Sequence, residues 1–417
     1  MGGGPVQLRI HSWIHQRSPP WWSADTSDTG RTRGVVKRRE CEGMREEEEG
    51  RSRAGTAAQH EAVGAAGRVE ALDNDARRND GGQQDYATAR ALKFRELLDR
   101  PHLDLEMLRA LAWNGVPNQY RPCCWRILSG YVPVNAQRRE AVLARKRQEY
   151  ADMLPEYYHE THKVRSTDET ATMHQISIDV PRTAPEVRFL RDNERIQEML
   201  RRVLYIRALR TPASGYVQGI NDLVTPFIIV FLSEFFAEPI ERWDIKTLSE
   251  EQLTIAEADA YWCLSRLLDG IQDHYTPAQP GIQEKVLLLE DIVRRIDEPL
   301  AAHLEQQGVE YLQFAFRWVN CLLLRELPFP VCVLRVWDTY LAEGPRFCDF
   351  LVYVCASLLV HWSDRLRRLD FQGIILFLQR LPTRDWTEQD VEIVLSRAHM
   401  WSILFDRAKS HFNSPRK

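Results

Sequence analysis

The stretch Tyr216-Val-Gln-Gly-Ile-Asn-Asp-Leu-Val-Thr-Pro-Phe-Ile-Ile-Val-Phe-Leu-Ser-Glu-Phe-Phe236 runs a short polar loop straight into a mostly apolar segment, Leu223 to Phe236. Helical spacing surrounds it on both sides. Upstream, residues 186–210 predict a helix with arginines on its wet face, and Asn135 is placed to cap a long charged helix toward Tyr158 that Pro155 ends or kinks. Further upstream, Ala91, Leu92, Phe94, Leu97 and Leu98 recur at helix spacing, as do Leu105, Leu108, Leu111 and Ala112. Downstream, Ser249-x-x-Gln252 has the form of a capping box that opens the next helix. Helical periods continue through 256–274, 282–307, 309–326, 330–342, 349–368, 370–380 and 387–408. Convincing strand alternation is absent, and so is any repeat of fixed length. The expected fold is all-α, one large domain over 87–410 in two helical halves. Glu238 to Asp244 and the acidic residues after it form the loop between the halves, and the function of 237–255 is not legible.

The chain changes character near residue 86. Residues 1–86 hold 12 of the 21 glycines, the run Glu46–Glu49 and the basic cluster Lys37-Arg38-Arg39. Their 13 Lys/Arg and 14 Asp/Glu nearly cancel. Such a segment cannot bury enough apolar surface to offset its ordering entropy, so it is expected to be a disordered tail. Trp13, Trp21 and Trp22 stand out there as a short binding motif or as nothing specific. Residues 411–417 form a second, short tail.

Several function classes are excluded. A formal charge of −4 lacks the basic excess of a nucleic-acid binder. Eight cysteines are scattered with no C-x-x-C pair, which fits thiols of a reducing compartment. The start lacks the apolar core of a signal peptide, and Val6 stands where a myristoylation signal wants Ser or Thr. The apolar run Leu351 to Trp362 is too short to span a bilayer. The expectation is a cytoplasmic protein that visits membranes peripherally. The chain has no G-x-x-x-x-G-K-[ST], G-x-G-x-x-G or G-x-S-x-G, so it should neither bind nucleotide itself nor act as a serine hydrolase. His159-x-x-His162, with only Glu160 between them, lacks a third ligand and is expected to be a solvated helix end, not a metal site. Cys123 and Cys124 beside Trp125 and Ile127 are expected to be buried and inert.

Two side chains suit phosphoryl transfer, and they lie 36 residues apart (218 − 182). Arg182, in Ile176-Ser-Ile-Asp179-Val-Pro-Arg182, offers a permanently charged planar fork that matches phosphate oxygens. Gln218 offers a neutral amide that donates and accepts at once, as orienting an attacking water requires. Neither is a good acid, base or nucleophile, so a site built from them works by positioning and charge stabilisation. Pro181 should hold Val180 extended and stiffen the loop that carries Arg182. Asp179 can accept from backbone amides or from Arg182 itself. Gly219 removes a side chain where another backbone approaches, Asn221 or Asp222 can cap the helix that follows, and Tyr216 can pack behind the loop or bond to it. In Gly115-Val-Pro117-x-x-x-Arg121-x-x-x-Trp125 the last two residues set a cation beside an aromatic at i and i+4, as scaffolding for the site. Taken singly, a surface arginine and a plain inter-helix turn explain the Arg182 and Gln218 segments as well.

In this order the three motifs resemble the TBC domain, the all-helical module of Rab GTPase-activating proteins. Its I-x-x-D-x-x-R pattern matches Ile176, Asp179 and Arg182; Y-x-Q matches Tyr216 and Gln218; R-x-x-x-W matches Arg121 and Trp125. Arg317-Trp318 and Val336-Trp337-Asp338-Thr339 look like recurrent positions of the C-terminal half. Ser214 to Phe227, Leu268 to Asp273, Ala278 to Gln283 and Leu312 to Arg317 look like the TBC domain family member 22 group, over roughly residues 90–408. The resemblance implies that Arg182 enters the nucleotide site of a GTP-bound Rab as an arginine finger while Gln218 orients the water. GTP and Mg²⁺ would belong to the Rab, leaving this chain without a cofactor or metal of its own. An arginine finger is worth ~10³–10⁵ in rate, or roughly 4–7 kcal/mol. A catalytically weak helical scaffold that binds a Rab or an organelle adaptor is the alternative. Golgi or other endomembrane association suits the family group, and whether the chain forms a homodimer is left open.

Overall fold

The computed structural model of the chain describes residues 87–158 and 165–412, with side chains as far as Phe405. These residues belong to one compact unit, Asn74–Lys417. The expected tail 1–86, the tryptophans within it, the 159–162 histidine pair and most of 411–417 lie outside the described residues. Among the described residues the fold is all-α; the single β feature is an isolated bridge between His102 and Asn135.

Local chemistry sets the helix starts. Helix α1 spans 87–98 and α2 spans Leu105–Ala112, whose first amides, of Glu106 and Met107, donate to the Asp104 carboxylate at 3.0 and 3.1 Å. A 3₁₀ turn leads into α3, Arg121–Leu128, with Pro122 in its first turn. Helix α4 runs Ala136–Met153 and passes into a π-helical turn, Leu154–Tyr158, at Pro155. Asn135 stands at the N-cap of α4, yet its side chain caps nothing, because the residue is drawn into the bridge with His102. Helix α5, Thr167–Asp179, opens on a capping box between Ser166 and Glu169.

The expected helix over 186–210 is two: α6, Arg188–Arg191, and α7, Glu194–Arg210, separated where Asn193 takes an extended backbone. Helices α8, Ile220–Leu223, and α9, Thr225–Leu232, follow, then α10, Glu250–Asp269, which starts on the expected box of Ser249 and Gln252. The loop before α10 is ordered: Trp243 stacks on Phe236 at 4.7 Å between ring centres and meets the edge of Phe189 at 5.3 Å. The chain continues through α11, Pro280–Ile296, and α12, Glu298–Gln306, parted at Asp297, whose carboxylate accepts from the Leu300 amide. Then come α13, Leu312–Asn320, α14, Val331–Glu343, and α15, Phe347–His361. Helices α16, Ser363–Leu366, α17, Phe371–Gln379, and α18, Glu388–Phe412, complete the chain. The helical period expected through residue 326 breaks at α13's end. Leu322 and Leu323 there have positive φ of 51° and 62° and are buried, a conformation costing about 1–3 kcal/mol per bulky residue.

Helix α9 lies at the centre. All eight of its residues are buried, which is why Thr225–Leu232 shows no polar face. Phe227 meets Trp125 and Trp337 edge-on at 5.6 and 5.5 Å, tying α9 to α3 and α14. Arg121 and Trp125 do not act as a stacked cation and ring; both donate to the buried Asp338 carboxylate of α14, Trp125 Nε1 at 2.7 Å and Arg121 Nη2 at 3.0 Å. The Val116 amide joins them at 2.8 Å. A buried carboxylate satisfied by four donor atoms locks α3 onto α14, and through Trp125 against Phe227 it backs α9, the second helix after the Gln218 loop.

Candidate site at two joined loops

The C-terminal turn of α5 tightens into a 3₁₀ turn, Val180–Arg182, rather than stopping at an extended Val180. Val180 is αR, with φ −56° and ψ −46°, although Pro181 disfavours that conformation. Three contacts override the local preference: the Val180 side chain is buried, the Thr183 amide donates to the Val180 carbonyl at 3.1 Å, and Thr183 Oγ1 donates to the Asp179 carbonyl at 3.0 Å. The turn leaves Arg182 exposed. Among the described residues its guanidinium has neither an ion-pair nor a hydrogen-bond partner. Asp179 does not serve it; that carboxylate is buried and accepts from Tyr216 Oη at 2.8 Å and Gln175 Nε2 at 3.1 Å.

The Tyr216 bond joins the Arg182 segment to the Gln218 segment. A second bond runs alongside it, from Asn221 Nδ2 to Thr183 Oγ1 at 2.9 Å. Asn221 Oδ1 in turn accepts from the Gly219 amide at 2.9 Å. Asn221 therefore bridges the residue after Arg182 to the residue after Gln218. It does so from inside α8; neither it nor Asp222 caps the helix, because Gly219, with φ +109°, occupies the N-cap. Burial and the Asp179 carboxylate push the Tyr216 phenol well above its usual range, so it stays a donor at any ordinary pH.

Gln218 is half-buried, and its carbonyl accepts from Asn320 Nδ2 at 3.1 Å. The neighbour that Gly219 admits is this Asn320 side chain, not a second backbone; a Cβ at Gly219 would collide with its amide. Asp222 is buried and bonded by Arg325 Nε at 2.7 Å. Burial raises the Asp222 carboxyl pKa, against the opposing pull of Arg325. Burial likewise pushes the Cys321 thiol up to about 12, and it raises Cys123 and Cys124, so these thiols are inert. Sequence reasoning missed Asn320, Arg325, Thr183 and the role of Asp338. A separation of 102 residues between Asn320 and Gln218 leaves no local pattern to find.

Among the described residues no group of three or more His, Cys, Asp and Glu could hold a metal ion, and no helix is long and apolar enough to cross a membrane. The model of one protein family, the Rab-GTPase-TBC domain, matches residues 118–366, a span that contains both joined loops. The chain belongs to the Rab-GTPase-TBC domain family. GTPase-activating protein gyp1 of Schizosaccharomyces pombe is 51% identical over 325 residues, covering 78% of this chain and 63% of that protein. TBC1 domain family member 22B of Homo sapiens is 49% identical over 321 residues, covering 77% and 63%. The chain thus spans less than two thirds of the length of these two relatives. The crystal structure of the Ypt/Rab-GAP domain of Gyp1p superposes with a TM-score of 0.72 at 45% identity, covering 76% of this chain and 99% of that one. A Chlamydomonas flagellar RabGAP TBC domain shares the fold, at a TM-score of 0.52 and 19% identity. The TBC resemblance carried by the motifs, and its narrower likeness to the member 22 group, agree with these matches.

Proposed function

We propose that this TBC domain accelerates GTP hydrolysis on a Rab-family GTPase by lending it Arg182 and Gln218 in trans. The observation that carries the proposal is the pair of hydrogen bonds, Tyr216 to Asp179 and Asn221 to Thr183, that fastens the two segments together while Arg182 stays exposed and without a partner among the described residues. An unpaired guanidinium on a one-turn 3₁₀ mount gives up no ion pair when it meets a γ-phosphate. Its planar fork neutralises charge that grows on the equatorial oxygens, and the Gln218 amide orients the water. Asp179, Tyr216 and Gly219 hold the two loops, and Arg121 and Trp125 brace the helix behind them. The Rab brings GTP and Mg²⁺, so the chain needs no cofactor of its own. The catalytic module is 87–410, and it acts in the cytoplasm and peripherally on endomembranes.

Single-turnover GTP hydrolysis across a panel of GTP-loaded Rabs tests this. At least one Rab should be accelerated, and Arg182→Ala should remove about 10³–10⁵ of that acceleration, with a smaller loss for Gln218→Ala. Binding of a GTP-loaded Rab without faster hydrolysis would establish a scaffold instead.

A further inference from the structure

The end of α13 meets the Gln218 loop: Asn320, its last residue, bonds the loop, and Arg325, beyond the unfavourable turn that follows, bonds α8 behind it. We infer that Asn320 is a positioning residue for Gln218, a role that rests on the proposed activation of a Rab and names a part of its machinery that the three motifs omit. Asn320 Nδ2 donates to the Gln218 carbonyl at 3.1 Å. Its amide also fills the space that a side chain at Gly219 would need. The loop is therefore held by attraction at one residue and by contact at the next.

Asn320 is itself fixed from three sides. It is buried, and its carbonyl accepts from Tyr275 Oη at 2.8 Å. The backbone after it turns through Leu322 and Leu323 at positive φ, held by Leu323 N to the Trp318 carbonyl at 2.8 Å and Leu324 N to the Cys321 carbonyl at 2.9 Å. Beyond the turn, Glu326 is clamped by both Arg317 Nε and Nη2, at 2.7 and 2.8 Å. The same turn places Arg325 Nε on the buried Asp222 of α8 at 2.7 Å. A chain continuing as α-helix past residue 320 would carry Arg325 away from Asp222, whereas Asn320 is set by α13 itself. Bulky residues keep positive φ only where surrounding structure over-determines it, and here Arg325 on Asp222 and Glu326 on Arg317 fix the chain that leaves Asn320, the residue that holds the Gln218 backbone. A glutamine that must orient one water tolerates little displacement, since a 1 Å error in such geometry can cost about 10²-fold.

Kinetics of Asn320 variants on an accelerated Rab test the inference, with Arg182→Ala measured beside them. Asn320→Ala should lower kcat about tenfold, the scale of one hydrogen bond, with KM nearly unchanged because Asn320 is buried beneath the loop. Asn320→Asp keeps the volume but sets a carboxylate against the Gln218 carbonyl, so its loss should approach about 10²-fold. Its rate relative to wild type should recover as pH falls, because the protonated carboxyl can donate again; a merely structural defect would show no such recovery. Where Asn320→Ala fails to fold, Gly219→Ala displaces the loop from the other side and should give the same kcat loss at constant KM. The inference is overturned if Asn320→Ala and Asn320→Asp both keep kcat within about twofold of wild type while Arg182→Ala abolishes acceleration. If wild type accelerates no Rab and Arg182→Ala changes nothing, the functional proposal fails and the positioning role falls with it.

Discussion

Removal of one oxygen, by Tyr216→Phe, tests whether the two loops work as a unit. The Asp179 carboxylate is 2% exposed and has two side-chain donors, Tyr216 Oη at 2.8 Å and Gln175 Nε2 at 3.1 Å. A hydrogen bond to a charged group contributes about 1.5–3 kcal/mol, and its loss leaves a buried anion with half its partners. The expected destabilisation is about 2 kcal/mol, read as a lower midpoint in urea at unchanged slope. Asp179→Asn, which relieves the anion, should be milder when combined with Tyr216→Phe than the sum of the single changes. A double-mutant cycle should return a coupling of about 1–2 kcal/mol, against additivity within about 0.5 kcal/mol for independent sites. Rab-stimulated hydrolysis should fall in kcat more than in KM, because the phenol lies behind the loop. Additive single changes, or full activity in Tyr216→Phe, would refute the claim that this bond fastens the Arg182 turn to the Gln218 loop.

Asp338→Asn should destabilise the domain by about 3–5 kcal/mol in urea titrations, since it strips a buried Arg121 of its counter-charge; a loss under about 1 kcal/mol would show that the Arg121–Trp125 scaffold is not what locks α3 to α14. Arg182→Lys should not restore single-turnover acceleration, because a point ammonium cannot reproduce a planar fork, and near-wild-type rates with lysine would disprove that geometry. His274 is buried, which lowers its pKa from the ordinary 6.5 to about 4. A base whose folded pKa is depressed contributes stability above the unfolded value, and that stability is lost as pH falls from about 6.5 through 4, by roughly 3 kcal/mol in all. His274→Gln should flatten that part of the pH–stability curve, and an unchanged slope would place its cause elsewhere.

Elements with their cause in neighbouring residues were legible. The capping box of Ser249 and Gln252 needs only three residues of spacing, and it forms as expected. The end of α4 at Pro155 follows from a missing amide and a ring clash. Failures fell where burial overruled local preference. Val180 is αR before a proline because its side chain is buried and Thr183 closes the turn. The helical period of 309–326 continues in the sequence while the backbone leaves the helix at Cys321.

For the candidate site the same division holds. The chemistry on offer is written in the residues alone, since a guanidinium and a primary amide carry their donors and acceptors wherever they are placed. So is the all-helical character, because the apolar period is carried by successive residues. It took the packed fold to set Asp179 on Tyr216 and not on Arg182, and to make Asn221 bridge both loops. The packed fold alone brought Asn320, 102 residues away, onto the Gln218 carbonyl. A hydrogen bond acts over about 3 Å, and nothing in one dimension fixes which distant residues the packing of helices will bring within that reach.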